Sequence, residues 1–262
     1  MSNIEFLTIL YFINTLVLIG LISRSIVKKS PRFFLKFFFL SILVCTVIGS
    51  VLKGFMNISD FSNRQLLANA MLFIWSIKSI FSYRSIKVII LSNFLEVLRD
   101  EIASKNILRI FRLILKISFF QFICFSSFIS TNYLSGASHL NYLDLLGLAI
   151  CLLGITLELV SEKQLKSLSF KKTRVVSTGP WAVSRHPNLI GIFLFFLGIQ
   201  IIAFSAISSL WSIFGFLLIT FILFQNILPK VEKNLLLKST EYRACLLYTS
   251  PSPRDQRGSG MP

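Results

Sequence analysis

The sequence predicts an all-α, polytopic membrane helix bundle of about seven transmembrane helices, with the N-terminus outside. Three observations predict it. Of 262 residues, 54% are hydrophobic and only 15% charged, with a mean hydropathy of +0.75. Soluble domains carry about 25% charged residues, and disordered chains are apolar-poor, so both classes are excluded. The apolar residues also fall in blocks of roughly 20, the length that crosses a bilayer as a helix. The third observation is that Lys and Arg crowd every second connection between these blocks.

The blocks are residues 4–22, 34–51, 66–83, 113–130, 140–160, 188–206 and 210–228. Each is expected to be helical, because a backbone in lipid must satisfy its own hydrogen bonds. Block 66–83 carries Lys78, and block 113–130 begins beside Arg109, Arg112 and Lys116. Between them, 85–107 is amphipathic, with Glu96, Arg99, Asp100 and Glu101, and is expected at the interface or against the bundle.

Arg24, Lys28, Lys29 and Arg32 mark the first connection, and Arg84, Lys87, Arg99 and Lys105 the third. Lys163, Lys166, Lys171, Lys172, Arg174 and Arg185 mark the fifth, and Lys230, Lys233, Lys238 and Arg243 follow the last block. The second holds only Lys53 and Arg64, and 131–139 holds no Lys or Arg. By the positive-inside rule the basic connections face the cytoplasm. The net charge of +16 then reads as topology plus attraction to anionic lipid head groups. Membrane lipids are the expected partners, and no nucleic-acid motif is present. The first block has an acidic flank at Glu5 and reads as a retained helix rather than a cleaved signal. Cys45, Cys124 and Cys151 lie widely spaced inside blocks and read as small packing residues, with no metal site expected.

One domain is expected over residues 1–244. After Ala244 the chain changes character: 245–255 reads CLLYTSPSPRD, which looks like one frame of a sequencing-library adapter, with 256–258 as a short index. Residues 259–262 are close to the downstream adapter frame, Gly260 departing from it; a natural Pro/Ser-rich tail is the alternative.

The polar residues with chemical potential cluster between the fifth and sixth blocks. Glu158 and Glu162 are four apart and share one helix face, followed by Gln164. A carboxylate at the membrane end of a span is costly, and is usually paired or functional. The two readings are an acidic face for a ligand's hydroxyls, or an ion pair with Arg185 or a loop Lys. Gly179, Trp181 and Ser184 precede Arg185-His186-Pro187-Asn188 and Gly191. Pro suits the first turn of a helix, whose free N–H groups favour anions. Arg185 adds a donor fork that fits phosphate, His186 a titratable donor and Asn188 an amide. A phosphate-bearing cofactor suits this set; the alternative is a positive-inside Arg beside a Pro-capped helix, which is common.

Glu158, Glu162, Gln164, Leu165, Gly179, Trp181, Ser184, Arg185, His186, Pro187, Asn188 and Gly191 match, in order, a stretch of the steroid 5-alpha-reductase C-terminal-like family. The chain resembles its small, DUF1295-type branch. Trp75 with Lys78 and Arg84 looks like the family's Trp-x-x-Arg span, and Gln121 falls in the span that follows. Pro229, Glu232, Lys233, Glu241, Tyr242 and Arg243 resemble its closing segment, so the resemblance covers 66–244. It implies a membrane-embedded reductase that passes hydride from NADPH to a lipid carbon–carbon double bond conjugated to a carbonyl. It further implies Arg185 and His186 at the cofactor phosphates, Asn188 near the nicotinamide or ribose, and Glu158, Glu162 and Gln164 at hydroxyls. Tyr242 and Arg243 would close the site. No residue matches the family's proton donor; Tyr83 is a phenol near a membrane end. Two positions depart: Leu189 replaces a Tyr and Ile192 a Glu, two polar groups expected to point into the site.

Isoprenylcysteine and phospholipid methyltransferases, which use S-adenosylmethionine, share the Arg-His-Pro start. They resemble this chain less, since Val231-Glu232 stands where they carry Glu-Glu. A non-catalytic membrane relative is the third reading.

Overall fold

The computed structural model describes residues 3–27, 38, 40–49, 51, 62–81, 106–133, 139–171, 178–206 and 211–238. The described residues are helical, with short connecting turns and no strand. The helices are α1 (Asn3–Val27), α2 (Leu40–Gly49), α3 (Asn63–Phe81), α4 (Ile107–Cys124), α5 (Ser126–Tyr133), α6 (Tyr142–Lys171), α7 (Pro180–Val183), α8 (Pro187–Ala206) and α9 (Ser212–Phe221). A π-helical turn, Ile222–Ile227, joins α9 to α10 (Leu228–Lys238).

Among the described residues four helices are long and apolar enough to cross a membrane, within α1, α6, α8 and the α9–α10 run. Counting the bent pair α4–α5 as one span makes five. The expected block 113–130 is therefore corrected from a straight helix to two pieces bent by 65°. The bend has a local cause. Phe125 leaves helical geometry at φ −100 and ψ 18. Ser130, Thr131 and Asn132 then bond back to the carbonyls of Ser126, Ser127 and Phe128, a habit that bends helices. Ser126 and Ser127 also donate to the Ser212 carbonyl of α9. Gly215 lets α9 approach the Ile123 and Cys124 carbonyls at the bend. Blocks 34–51 and 66–83 coincide with α2 and α3, the first short in its described part and the second too polar to join the membrane-length set. The amphipathic stretch 85–107 lies almost wholly outside the described residues, as do Tyr83 and everything after residue 238.

α3 buries polar residues among its apolar ones and turns large apolar side chains outward. Arg64, Gln65, Ser76, Lys78 and Ser79 are buried, whereas Leu66, Phe73 and Ile74 are exposed. Phe12, Leu16, Phe214 and Phe221 also lie exposed on other helices. Water would oppose so much bare apolar surface; hydrocarbon would not. Trp75 is buried and stacks on Phe195 at a centroid distance of 4.9 Å, inside the main core cluster.

α6 and α8 run antiparallel in a close seam. Gly147 faces Gly198 and Gly154 faces Gly191; a Cβ on Gly154 would stand 2.6 Å from the Gly191 carbonyl oxygen. Small residues let membrane helices approach in this way. Cys151 fills the seam between the glycine pairs, its thiol 3.4 Å from the Phe195 carbonyl. At one end of this seam Arg64 of α3 and Asp144 of α6 form a fully buried ion pair at 2.8 Å. The guanidinium also donates to the His139 carbonyl and to Ser205 of α8. Arg64, read from the sequence as a connection residue, is thus a clasp inside the bundle.

Candidate functional site

The opposite end of the seam gathers most of the sequence-predicted residues. The helical spacing of Glu158 and Glu162 puts both on the buried side of α6, 1% and 5% exposed. Gly191 of α8 packs directly on Glu158, since a Cβ there would meet the Glu158 backbone and Cβ at 2.9 Å. Asn188 lies one helical turn before Gly191 on α8, near the level of Glu158 on α6. It is wholly buried, and neither Oδ1 nor Nδ2 has a hydrogen-bond partner.

Sequence reasoning offered Arg185 or a loop lysine as the ion-pair partner of Glu158. The partner is Lys78, carried in by α3 from outside the motif stretch. Its Nζ also stands 4.0 Å from Glu162 Oε1. The second oxygen of Glu158 is buried without a hydrogen bond. A lysine in the middle of an apolar block is itself a signal for such a pairing.

Around this cluster the connecting turn is held by short-range contacts. Gly179 adopts φ 61, which suits glycine, and a Cβ there would also strike Gln164 Nε2 at 2.6 Å. Pro180 then opens α7, and Trp181 donates from Nε1 to the Ser161 carbonyl at 3.3 Å. Gln164 and Trp181 are half-buried and serve to seat the turn against α6. Arg185 is exposed at the same end.

His186 is buried, with Nε2 3.4 Å from Glu232 Oε1 of α10. Burial pushes its pKa below the ordinary 6.5; Glu232 opposes this and Arg185 adds to it. Proline explains how α10 comes to lie there. Pro229 cannot donate to the carbonyl four residues back and its ring crowds it. The π turn just before relieves this, with the Leu228 N–H reaching the Leu223 carbonyl.

The anion cradle expected at the start of α8 is narrower than an uncapped helix end. Pro187 has no N–H, and the Leu189 N–H is engaged by the His186 carbonyl at 3.0 Å. The two departures also have a clear setting. Leu189 is 4% exposed within the main apolar core, and Ile192 packs against that core. Polar groups at these positions would meet hydrophobic neighbours here. Gln121 is buried elsewhere, donating to the Phe38 carbonyl and to Ser41. Tyr242 and Arg243 lie outside the described residues.

A family model described as a protein of unknown function, DUF1295, matches residues 39–246. The chain belongs to the DUF1295 family. This family is the steroid 5-alpha-reductase-like branch that the motif stretch resembles. The match begins upstream of residue 66 and so takes in α2 as well as the DUF1295 motif residues on α6 and α8. No curated protein and no solved structure matches the chain.

Proposed function

We propose that this DUF1295 protein is an integral membrane reductase. It takes NADPH at the Lys78 end of the α3–α6–α8 seam and reduces a carbon–carbon double bond conjugated to a carbonyl in a lipid or steroid-like molecule. The observation that carries the reading is Asn188. A buried amide with both polar atoms unpartnered costs roughly 1–3 kcal/mol per unmet group, and such groups persist where a ligand completes them. The Glu158 oxygen left without a hydrogen bond is a second such group. These residues fit the donor-rich parts of the cofactor, its carboxamide and ribose hydroxyls.

NADPH supplies the hydride, and the protein supplies position and field. Asn188 and Glu158 bind and orient the buried part. Arg185, exposed at the same end, offers a donor fork to the phosphates. The seam excludes water, because Gly154 and Gly191 hold the backbones of α6 and α8 together. The lipophilic substrate enters from the bilayer. In this reading residues 1–244 form one seven-span domain with the N-terminus outside, which puts the Lys78 end on the basic, cytoplasmic side.

S-adenosylmethionine is the second reading, favoured by one observation. Two carboxylates, Glu158 and Glu162, lie buried side by side on α6 at this end, and carboxylates suit a sulfonium. The test is NADPH oxidation by the protein reconstituted in vesicles that contain an enone-bearing steroid or polyprenoid. Consumption that depends on the enone, and stops with Asn188→Leu, is expected. Methyl transfer from S-adenosylmethionine to a vesicle lipid, with no NADPH consumption, would overturn the reductase.

A further inference from the structure

Among the described residues two buried ion-pair clusters tie α3 to α6, and they differ in a telling way. At one end Arg64 and Asp144 share 2.8 and 2.9 Å bonds, with His139 and Ser205 taking further donors. Neither side chain keeps a buried atom without a partner. That is how a purely structural pair offsets its desolvation cost. At the other end Lys78 meets two carboxylates, with side chains 4%, 1% and 7% exposed. Here, unlike at the Arg64 end, a Glu158 oxygen and the whole Asn188 amide lack hydrogen bonds.

We propose that Lys78 is the positioning residue of the cofactor site: it draws one oxygen of Glu158 toward α3, and so presents the other oxygen beside Asn188 to the donor-bearing part of the ligand. This rests on the NADPH reading above and extends it to a residue outside the α6–α8 motif stretch. The Lys78 ammonium is already engaged by Glu158, and the Glu158 oxygen left over is an acceptor. The site therefore takes hydroxyl or amide donors, and leaves phosphate to the Arg185 side.

The full chain, purified in detergent, would be titrated with NADPH as wild type, Lys78→Met, Lys78→Gln and Lys78→Arg, with thermal unfolding followed in parallel. Misplacing a binding group by about 1 Å costs on the order of tenfold or more. Lys78→Met is therefore expected to bind NADPH at least about tenfold more weakly. Lys78→Gln keeps a hydrogen-bond donor toward Glu158 should the Met variant fail to fold, and is expected to be weakened likewise. Lys78→Arg restores the pair and is expected to bind within about threefold of wild type. Wild-type affinity in Lys78→Gln would overturn the role of Lys78 while leaving the NADPH reading intact. Weakened binding in all three variants that tracks their loss of thermal stability would reduce Lys78 to a packing role. A wild type that binds no NADPH would overturn both readings.

Discussion

Asn188 separates function from stability at the level of one side chain. Its unpartnered amide costs the bundle roughly 1–3 kcal/mol per group, so Asn188→Leu is expected to raise the unfolding temperature in detergent while abolishing NADPH binding. Loss of both would mean that the amide has a structural partner. Arg64 behaves oppositely: Arg64→Met leaves Asp144 buried and uncompensated and should cost about 3–5 kcal/mol, read as a lower unfolding temperature. His186 sets a pH dependence. Its pKa is lowered in the folded chain from 6.5, mainly by burial. Its stabilising contribution is therefore complete above about 6.5 and is lost as the pH falls through the lower folded value. Wild type should lose more thermal stability than His186→Asn between pH 7 and 5. Parallel curves would place no burden on this imidazole. Most of these residues were legible from the order Glu158, Glu162, Arg185, His186, Asn188 along the chain. Lys78 was visible as a charge inside an apolar block and as part of a Trp-x-x-Arg-like span, but its pairing was not, because its partners lie about 80 residues away on another helix.

Among the elements, the α6–α8 seam decides whether the site exists. Gly191→Val would drive a branched side chain into the Gly154 carbonyl and Glu158. Overpacking of this kind costs about 1–3 kcal/mol and should also weaken NADPH binding, since Glu158 and Asn188 ride on the two helices being separated. Unchanged binding in a clearly destabilised Gly191→Val protein would detach the site from the seam. Helix positions were readable from apolar blocks, as α8 at Pro187–Ala206 against the expected 188–206 illustrates. The bend at Phe125 was not, because its cause is a run of hydroxyl side chains bonding to their own backbone and to Ser212 of α9. Block 66–83 looked marginal for a related reason. Hydropathy counts Lys78 against the block, whereas the bundle buries it inside and turns Leu66 and Phe73 outward.

For the whole molecule, composition separates this chain from soluble proteins, and the exposed Leu66, Phe73 and Ile74 of α3 give the same answer in three dimensions. The burial of Arg64 also sharpens the charge code, since it removes one of the two basic residues assigned to the second connection. A seven-span arrangement with the N-terminus outside, as proposed, predicts that cysteines introduced at Ser2 and Lys172 react with a membrane-impermeant reagent from opposite faces of the membrane. Labelling from the same face would mean that α4–α5 dips into the bilayer without crossing it. The central claim is that the buried cluster of Lys78, Glu158, Glu162 and Asn188 holds a nicotinamide cofactor. Parallel titrations of the detergent-purified chain with NADPH and with S-adenosylmethionine test it most directly. A saturable signal with NADPH, lost in Asn188→Leu and absent for S-adenosylmethionine, is the predicted result. Saturable binding of S-adenosylmethionine alone, or of neither compound, would contradict it.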